Sequence, residues 1–281
     1  MSCDEKMIVK VDNLNIGILN EEDNKSYRFM INYGSFAINK GDFVLLKGHN
    51  GSGKSTFLRL FHLQGVDYFR IEQGGIYYCD DTFPNESIHK YSSHQLSRLN
   101  CFISYIGQEE RFITSDSAYS YIYRVTKYAL DEQDLSKEEK EKKIKEIDEV
   151  ICDYFTNFLA DSFKVKNYKI FKNKNVRYWS GGQQKMISVL AGIIKMKICG
   201  LKLLVMDEPL NNLDGLNKNI LNNLIEDLRK DDIAIIAITH CQIFKGINKV
   251  LMIKEIDKEH HEGIMIEKSE NPHTECLEDY N

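Results

Sequence analysis

Proline is nearly absent, with three residues in 281. Long Pro-rich linkers are therefore not expected. Positive charge is not in excess: 37 Lys and Arg stand against 42 Asp and Glu, a net charge of −5. A nucleic-acid binder carries a basic stripe, so no nucleic-acid partner is expected. Seven cysteines occur, but no two form a C-x-x-C pair, so neither a zinc site nor a redox motif is indicated. Met1–Lys10 lacks the apolar core of a secretory leader. The expectation is a reducing, cytoplasmic compartment with free, mostly buried thiols. No apolar run approaches the ~20 residues of a membrane span. The most apolar long stretch, Ile187 to Met206, is interrupted by Lys195, Lys197 and Lys202. Any membrane crossing falls to another polypeptide. There is no internal repeat.

What is present reads as alternating strands and helices. Ile8, Val9 and Val11 open the chain, and Phe29, Ile31, Phe36 and Ile38 alternate with polar residues as half-buried strands do. Phe43-Val44-Leu45-Leu46 is a continuous apolar run, suited to a strand buried on both faces. Residues 66–108 read as strand and loop, with Gly74-Gly75 as a turn. Ser136 and Glu139 form a capping box ahead of Ile144, Ile147, Val150, Ile151, Tyr154, Phe155, Phe158 and Leu159, whose spacing is helical. The charge run before these residues reads as a solvated helix face. Met186 to Ile194 and Ile220 to Leu228 read as helices. Leu203 to Met206 and Ile233 to Ile238 read as buried strands, and Val250–Ile253 and Ile264–Ile266 as edge strands. His260-His261 lacks other ligands in a metal-site pattern and reads as part of a solvated tail.

Two segments carry chemistry. Gly48-His49-Asn50-Gly51-Ser52-Gly53-Lys54-Ser55 fits G-x-x-x-x-G-K-[ST]. Its glycines let the backbone curl so that successive N–H groups meet phosphate oxygens, and the helix that follows adds its positive end. Lys54 is placed to reach the β- and γ-phosphates, and the Ser55 hydroxyl to ligate Mg²⁺. Further on, the strand Leu203–Met206 runs into Asp207-Glu208-Pro209. A carboxylate at the end of a parallel strand stands at the carboxyl edge of the sheet, so Asp207 is expected to hold Mg²⁺ and Glu208 to act as general base on the attacking water.

In chain order these segments resemble the ATP-binding cassette (ABC) family. Gly48 to Thr56 resembles its Walker A, and Ile106-Gly107-Gln108-Glu109 its Q-loop. Ser180-Gly181-Gly182-Gln183 resembles its signature, and Leu204 to Pro209 its Walker B with the catalytic glutamate. Asn212-Leu213-Asp214 resembles its D-loop, and Ile238-Thr239-His240 its switch histidine. The resemblance implies an α/β P-loop core with an N-terminal antiparallel β-subdomain and a helical subdomain inserted near 109–179. Residues 1–267 would form one nucleotide-binding domain and 268–281 a polar tail.

The resemblance also implies roles. ATP would lie on 48–56, Glu208, His240 and Gln108 would serve catalysis, and Ser55, Gln108 and Asp207 would hold Mg²⁺. Ser180, Gly181, Gly182, Gln183 and Asp214 would face nucleotide on a second nucleotide-binding domain, identical or not. Separate transmembrane permease subunits would be driven from the cytoplasmic face of the membrane. A soluble scaffold or regulatory ATPase is the alternative.

The chain departs from the family pattern at three places. Trp179 stands where leucine is usual. Ile18 falls where an adenine-stacking aromatic is usual, leaving Tyr27, Phe29 or Tyr33 as substitutes. The stretches from Lys54 to Gln108 and from Gln108 to Ser180 are long for the family. Aromatic and apolar residues between Gln108 and Tyr128, among them Phe112, Ile113, Tyr119, Tyr121, Ile122 and Tyr123, line either a docking surface or the subdomain's own core.

Overall fold

The computed structural model describes residues 5–20, 25–61, 68–108, 112–113, 115–239 and 244–267. They fall in two compact units. The first draws on Met1–Leu96, Ala234–Thr239 and Gly246–Asn281, the second on Ser97–Ile233 and His240–Lys245.

The first unit is built on seven strands: β1 (Met7–Leu19), β2 (Tyr27–Asn39), β3 (Phe43–Lys47), β4 (Phe69–Tyr78), β7 (Ala234–Ile238), β8 (Lys249–Glu255) and β9 (His260–Glu267). Their order is β4-β1-β2-β9-β8-β3-β7. β1 pairs antiparallel with β2 and β4, giving the expected antiparallel N-terminal layer. β3 runs parallel to both β7 and β8, and all but its last residue are buried, as its unbroken apolar run requires. Helix α1 (Lys54–Leu60) packs against β7 and buries Phe57, which meets Tyr33 at 4.6 Å and Phe61 at 5.3 Å.

The entry to β3 is pinned by polar groups. The buried Lys249 ammonium lies 2.9 Å from the Asp42 carboxylate, Asn248 Nδ2 donates to Asp42 Oδ1 at 2.8 Å, and Phe43 N–H donates to Asn248 Oδ1 at 2.7 Å. A buried pair of this kind is tolerated because its remaining valences are met by further hydrogen bonds.

Three expectations are corrected in this unit. Gly74-Gly75 is not a turn but lies inside β4, where the pairing with β1 shifts register between Asp12 and Asn15. Gly74 has φ +69, and a Cβ there would fall 2.1 Å from the Asn13 carbonyl oxygen, so the glycine serves a bulge in a paired strand. β8 and β9 are not edge strands. β8 lies between β3 and β9, and β9 between β8 and β2, because the five residues Lys249–Ile253 are buried and need sheet on both sides. His261 belongs to no solvated tail: it sits in β9 and is 6% exposed.

The second unit contains β5 (Ile103–Ile106) and β6 (Leu203–Asp207), paired in parallel. Its helices are α2 (Ser93–Arg98, shared with the first unit's end), α3 (Ala118–Asp131), α4 (Lys137–Tyr154), α5 (Ala160–Phe163), α6 (Tyr168–Asn173), α7 (Gly181–Cys199) and α8 (Gly215–Lys230). α2 has no counterpart in the sequence reading. α4 starts at the expected capping box, with Glu139 N–H donating to Ser136 Oγ at 3.3 Å and Ser136 N–H to Glu139 Oε2 at 2.9 Å. Glu138, Glu141, Lys142 and Lys145 are exposed, as a solvated face should be. A wide turn over Phe155–Leu159 links α4 to α5 and turns Phe155 and Leu159 inward.

α7 is the spine of this unit. It packs on β5 and receives α3 and α4. It begins five residues before the expected Met186, because Ser180 caps it and lets Gly181-Gly182 join its first turn.

Cys101, Cys152 and Cys199 are free thiols, and burial pushes that of Cys199 up to about 12. Cys79 is disulfide-bonded, which corrects the expectation that every thiol is free. No described helix is long and apolar enough to cross a membrane. The expected tail 268–281 lies outside the described residues.

Candidate functional site

The glycine-rich loop follows β3 as expected and delivers the chain into α1 at Lys54. Gly53 has φ +96, and a Cβ there would lie 2.4 Å from Ile31 Cδ1, so both backbone conformation and space demand glycine. Lys54 is buried, and its Nζ donates to the carbonyls of Gly48 at 2.8 Å and His49 at 2.9 Å. The ammonium thus folds over the loop it ends. Ser52 is buried, while His49, Asn50 and Gly51 are exposed, and Ser55 and Thr56 are half-buried. A curled backbone with an ammonium and a helix start suits a polyphosphate anion.

The substitutes for an adenine-stacking aromatic differ in availability. Tyr33 is 2% exposed and packed on Phe57, which removes it from reach of a ligand. Phe29 is stacked on the His261 ring at 4.2 Å. Tyr27 is 37% exposed and hydrogen-bonds Glu72. Ile18 is half-buried.

In the second unit, all five residues of β6 are buried, and the strand ends on the acidic pair. Asp207 and Glu208 are each 6% exposed. Tyr105 OH, one strand away on β5, donates to Asp207 Oδ2 at 3.5 Å. Glu208 adopts φ +49, a left-handed conformation that costs a non-glycine residue about 1–3 kcal/mol and persists where its surroundings enforce it. Asn212 shares this feature, with φ +62. Gln108 is exposed just past β5.

Ser180 and Gly181 are exposed at the start of α7. Ser180 Oγ accepts from Gln183 N–H at 3.3 Å, and Gln183 Oε1 accepts from Ser180 N–H at 3.1 Å. Gln183 Nε2 donates to the Ser162 carbonyl at 3.1 Å. A Cβ on Gly182 would lie 2.9 Å from the Asn212 carbonyl oxygen, so that turn and the start of α7 are in contact. Asp214 is exposed and caps α8, accepting from Asn217 N–H at 2.9 Å. Trp179, the departure from leucine, is 5% exposed and set edge-on against Phe163 at 4.9 Å, so burial anchors the loop as an aromatic there can. His240 and Glu109 lie outside the described residues.

Lys185 was not singled out by the sequence. It is 4% exposed on α7, and its Nζ donates to the carbonyls of Gly107 at 2.7 Å and Gln108 at 3.3 Å. Lys195, on the same helix, donates to the Ile103 carbonyl at 3.1 Å. Between them a Cβ on Gly192 would come within 3.0 Å of Ile106. One helix therefore grips β5 at both ends. The signal was a lysine on the inward face of an apolar helix, beside Met186 and Val189. Lys185→Met keeps the stem and removes the ammonium. It is expected to destabilise the chain by about 1.5–3 kcal/mol, the range for hydrogen bonds from a charged donor. Denaturant unfolding of the variant beside wild type measures this, and an unchanged midpoint would show that the contact contributes nothing.

Between Gln108 and Tyr128 the side chains divide between buried and exposed. Ile122 is fully buried, whereas Ile113 is 53% and Tyr128 59% exposed. Phe112 packs on Tyr121 at 4.6 Å, and Tyr119 on Tyr123 at 5.7 Å.

Residues 31–211 match the model of the ABC transporter family. An ABC transporter ATP-binding protein of Clostridium acetobutylicum is 27% identical over 83% of this chain and 85% of the relative. An ATP-binding cassette solved as a dimer in a post-hydrolysis state with ADP and phosphate superposes with TM-score 0.64, at 18% identity, over 92% of this chain and 98% of that one. The cbiO1 subunit of Clostridium perfringens, part of the ABC transporter complex cbiONQ, superposes with TM-score 0.59 at 21% identity over 92% and 87%.

Proposed function

Because this chain belongs to the ABC transporter family, we propose that its loop 48–56 binds the phosphates of ATP, that its buried acidic pair serves hydrolysis, and that a second cassette takes part. The chain is the ATP-binding and ATP-hydrolysing subunit of an ABC transporter. The observation that supports the residue roles best is the pair Asp207-Glu208, buried at the carboxyl end of β6 in a chain that also carries the Lys54 loop.

The division of labour follows from chemistry. Backbone N–H groups of 48–53 and the Lys54 ammonium take the phosphates, with His49, Asn50, Gly51, Ser52 and Gly53 shaping the loop. Ser55, Gln108 and Asp207 offer a hydroxyl, an amide and a carboxylate. Each is a hard oxygen donor of the kind Mg²⁺ takes, and Mg²⁺ when bound would neutralise charge on the β- and γ-phosphates. Glu208 accepts a proton from the attacking water while His240 steadies the γ-phosphate end. Ser180, Gly181, Gly182, Gln183 and Asp214 meet the nucleotide held by the opposing cassette, the likeness to a dimeric cassette supporting this arrangement. Closure of the two cassettes then drives separate permease subunits at the cytoplasmic face of the membrane. The exposed Ile113 and Tyr128 fit a docking edge for them.

Lys54→Ala removes the ammonium that meets the phosphates. ATP affinity is expected to fall at least about tenfold, or about 1.4 kcal/mol. Calorimetric titration of both proteins with ATP tests this; equal affinities would remove Lys54 and its loop from the site. Isolation of the wild-type chain from native membranes tests the coupling, with a co-purifying membrane protein as the expected result and a wholly soluble, partnerless chain as the contrary one.

A further inference from the structure

The geometry points to a binding site for a transition-metal cation of the Zn²⁺ class, formed by His49, Glu255 and His261 in the first unit. His49 comes from the glycine-rich loop, Glu255 from the end of β8 and His261 from β9, so folding rather than sequence proximity brings them together. Their ligand atoms all lie within 4.8 Å of one another. His49 Nε2 and Glu255 Oε2 are 3.3 Å apart. Ligands on a tetrahedral zinc, with bonds of about 2.0–2.1 Å, stand about 3.4 Å apart, so this pair is at bonding separation already and the third ligand needs a shift of roughly 1–1.5 Å.

Three further observations favour a metal over a plain ion pair. His261 is 6% exposed, yet its Nδ1 has no hydrogen-bond partner among the described residues, and a buried polar atom left so is costly unless a ligand meets it. His49 is oriented for ligation: its Nδ1 lies 2.9 Å from the Asn50 carbonyl oxygen, which can only accept, and its Nε2 faces Glu255, where a cation would take the place of any proton. Metal-binding histidines are held in this way by an outer hydrogen bond. Finally, Phe29 stacks on His261 at 4.2 Å and an interplanar angle of 21°, which holds that ring in place. Two imidazoles and one carboxylate is a donor set that zinc takes in proteins.

The site would be linked to the phosphate loop through His49, whose carbonyl also accepts from Lys54 Nζ at 2.9 Å. A cation that holds His49 therefore bears on the loop that Lys54 closes, and by reciprocity any coupling between cation and nucleotide must run in both directions.

The test uses the full chain, stripped of metal with a chelator, and titrates Co²⁺ as a spectroscopic stand-in for Zn²⁺. One equivalent is expected to give saturable visible absorption of a four- or five-coordinate ion at micromolar affinity, bleached by Zn²⁺. Glu255→Gln and His261→Gln, checked for folding by circular dichroism, are each expected to weaken binding at least about tenfold. Lys54→Ala is expected to retain the Co²⁺ signal, which separates the fate of this site from that of the nucleotide site. Absence of a saturable one-to-one signal in wild type overturns the proposal. So does equal binding by wild type and both variants, since the ion would then lie elsewhere.

Discussion

Glu208→Gln is expected to bind ATP and scarcely hydrolyse it, with a steady-state rate about a hundredfold to ten-thousandfold below wild type, the range that positioned general bases contribute. The change keeps the shape of the side chain, which matters because Glu208 is buried and held at φ +49. Glutamine keeps the same backbone and volume but cannot accept the proton of the attacking water. ATP should then accumulate in the closed state, so the variant should elute as a dimer with MgATP on size exclusion while wild type does so only transiently. Phosphate release measured beside ATP binding separates the two effects. A wild-type rate in the variant would show that another group is the base.

Phe171→Ala is expected to be the most damaging change to stability, at about 3–5 kcal/mol, the usual cost of removing a buried phenylalanine ring. Phe171 is fully buried and holds an aromatic cluster together, with ring centroids 4.6 Å from Phe155, 5.0 Å from Phe163 and 6.5 Å from Trp179. Trp179 immediately precedes Ser180, so the cavity would also loosen the entry to α7. Hydrolysis should fall further than ATP binding, because the loop 48–56 belongs to the other unit. Denaturant unfolding followed by tryptophan fluorescence reports on the cluster directly, through the single Trp of the chain. An unchanged midpoint would mean that the cluster collapses around the loss without cost.

Much of this architecture was legible because short-range rules are strict where the backbone is unusual. The loop 48–55 could be read from its glycines and lysine, and α4 from Ser136 and Glu139. β3 and β6 were legible as continuous apolar runs. The errors arose where the deciding contact is distant in sequence. Gly74-Gly75 has the composition of a turn, and only the Asp12 and Asn13 carbonyls across the strand pair make it a bulge. β8 and β9 looked like edges because nothing local reveals that β2 and β3 flank them. Lys195 looked like a break in an apolar run and Lys185 carried no local signal of its partner, whereas their ammonium groups reach carbonyls around β5. His261 looked solvated because its cover, Phe29, comes from the far end of the chain.

α7 spans 19 residues, about 28 Å at 1.5 Å per residue. Pinned by Lys185, Gly192 and Lys195 to one strand, it has no internal joint over most of that length. Gly107, held by Lys185, and Ser180 thus meet the same first two turns of the helix, so the position of one is tied to that of the other by little more than one turn of hydrogen-bonded backbone.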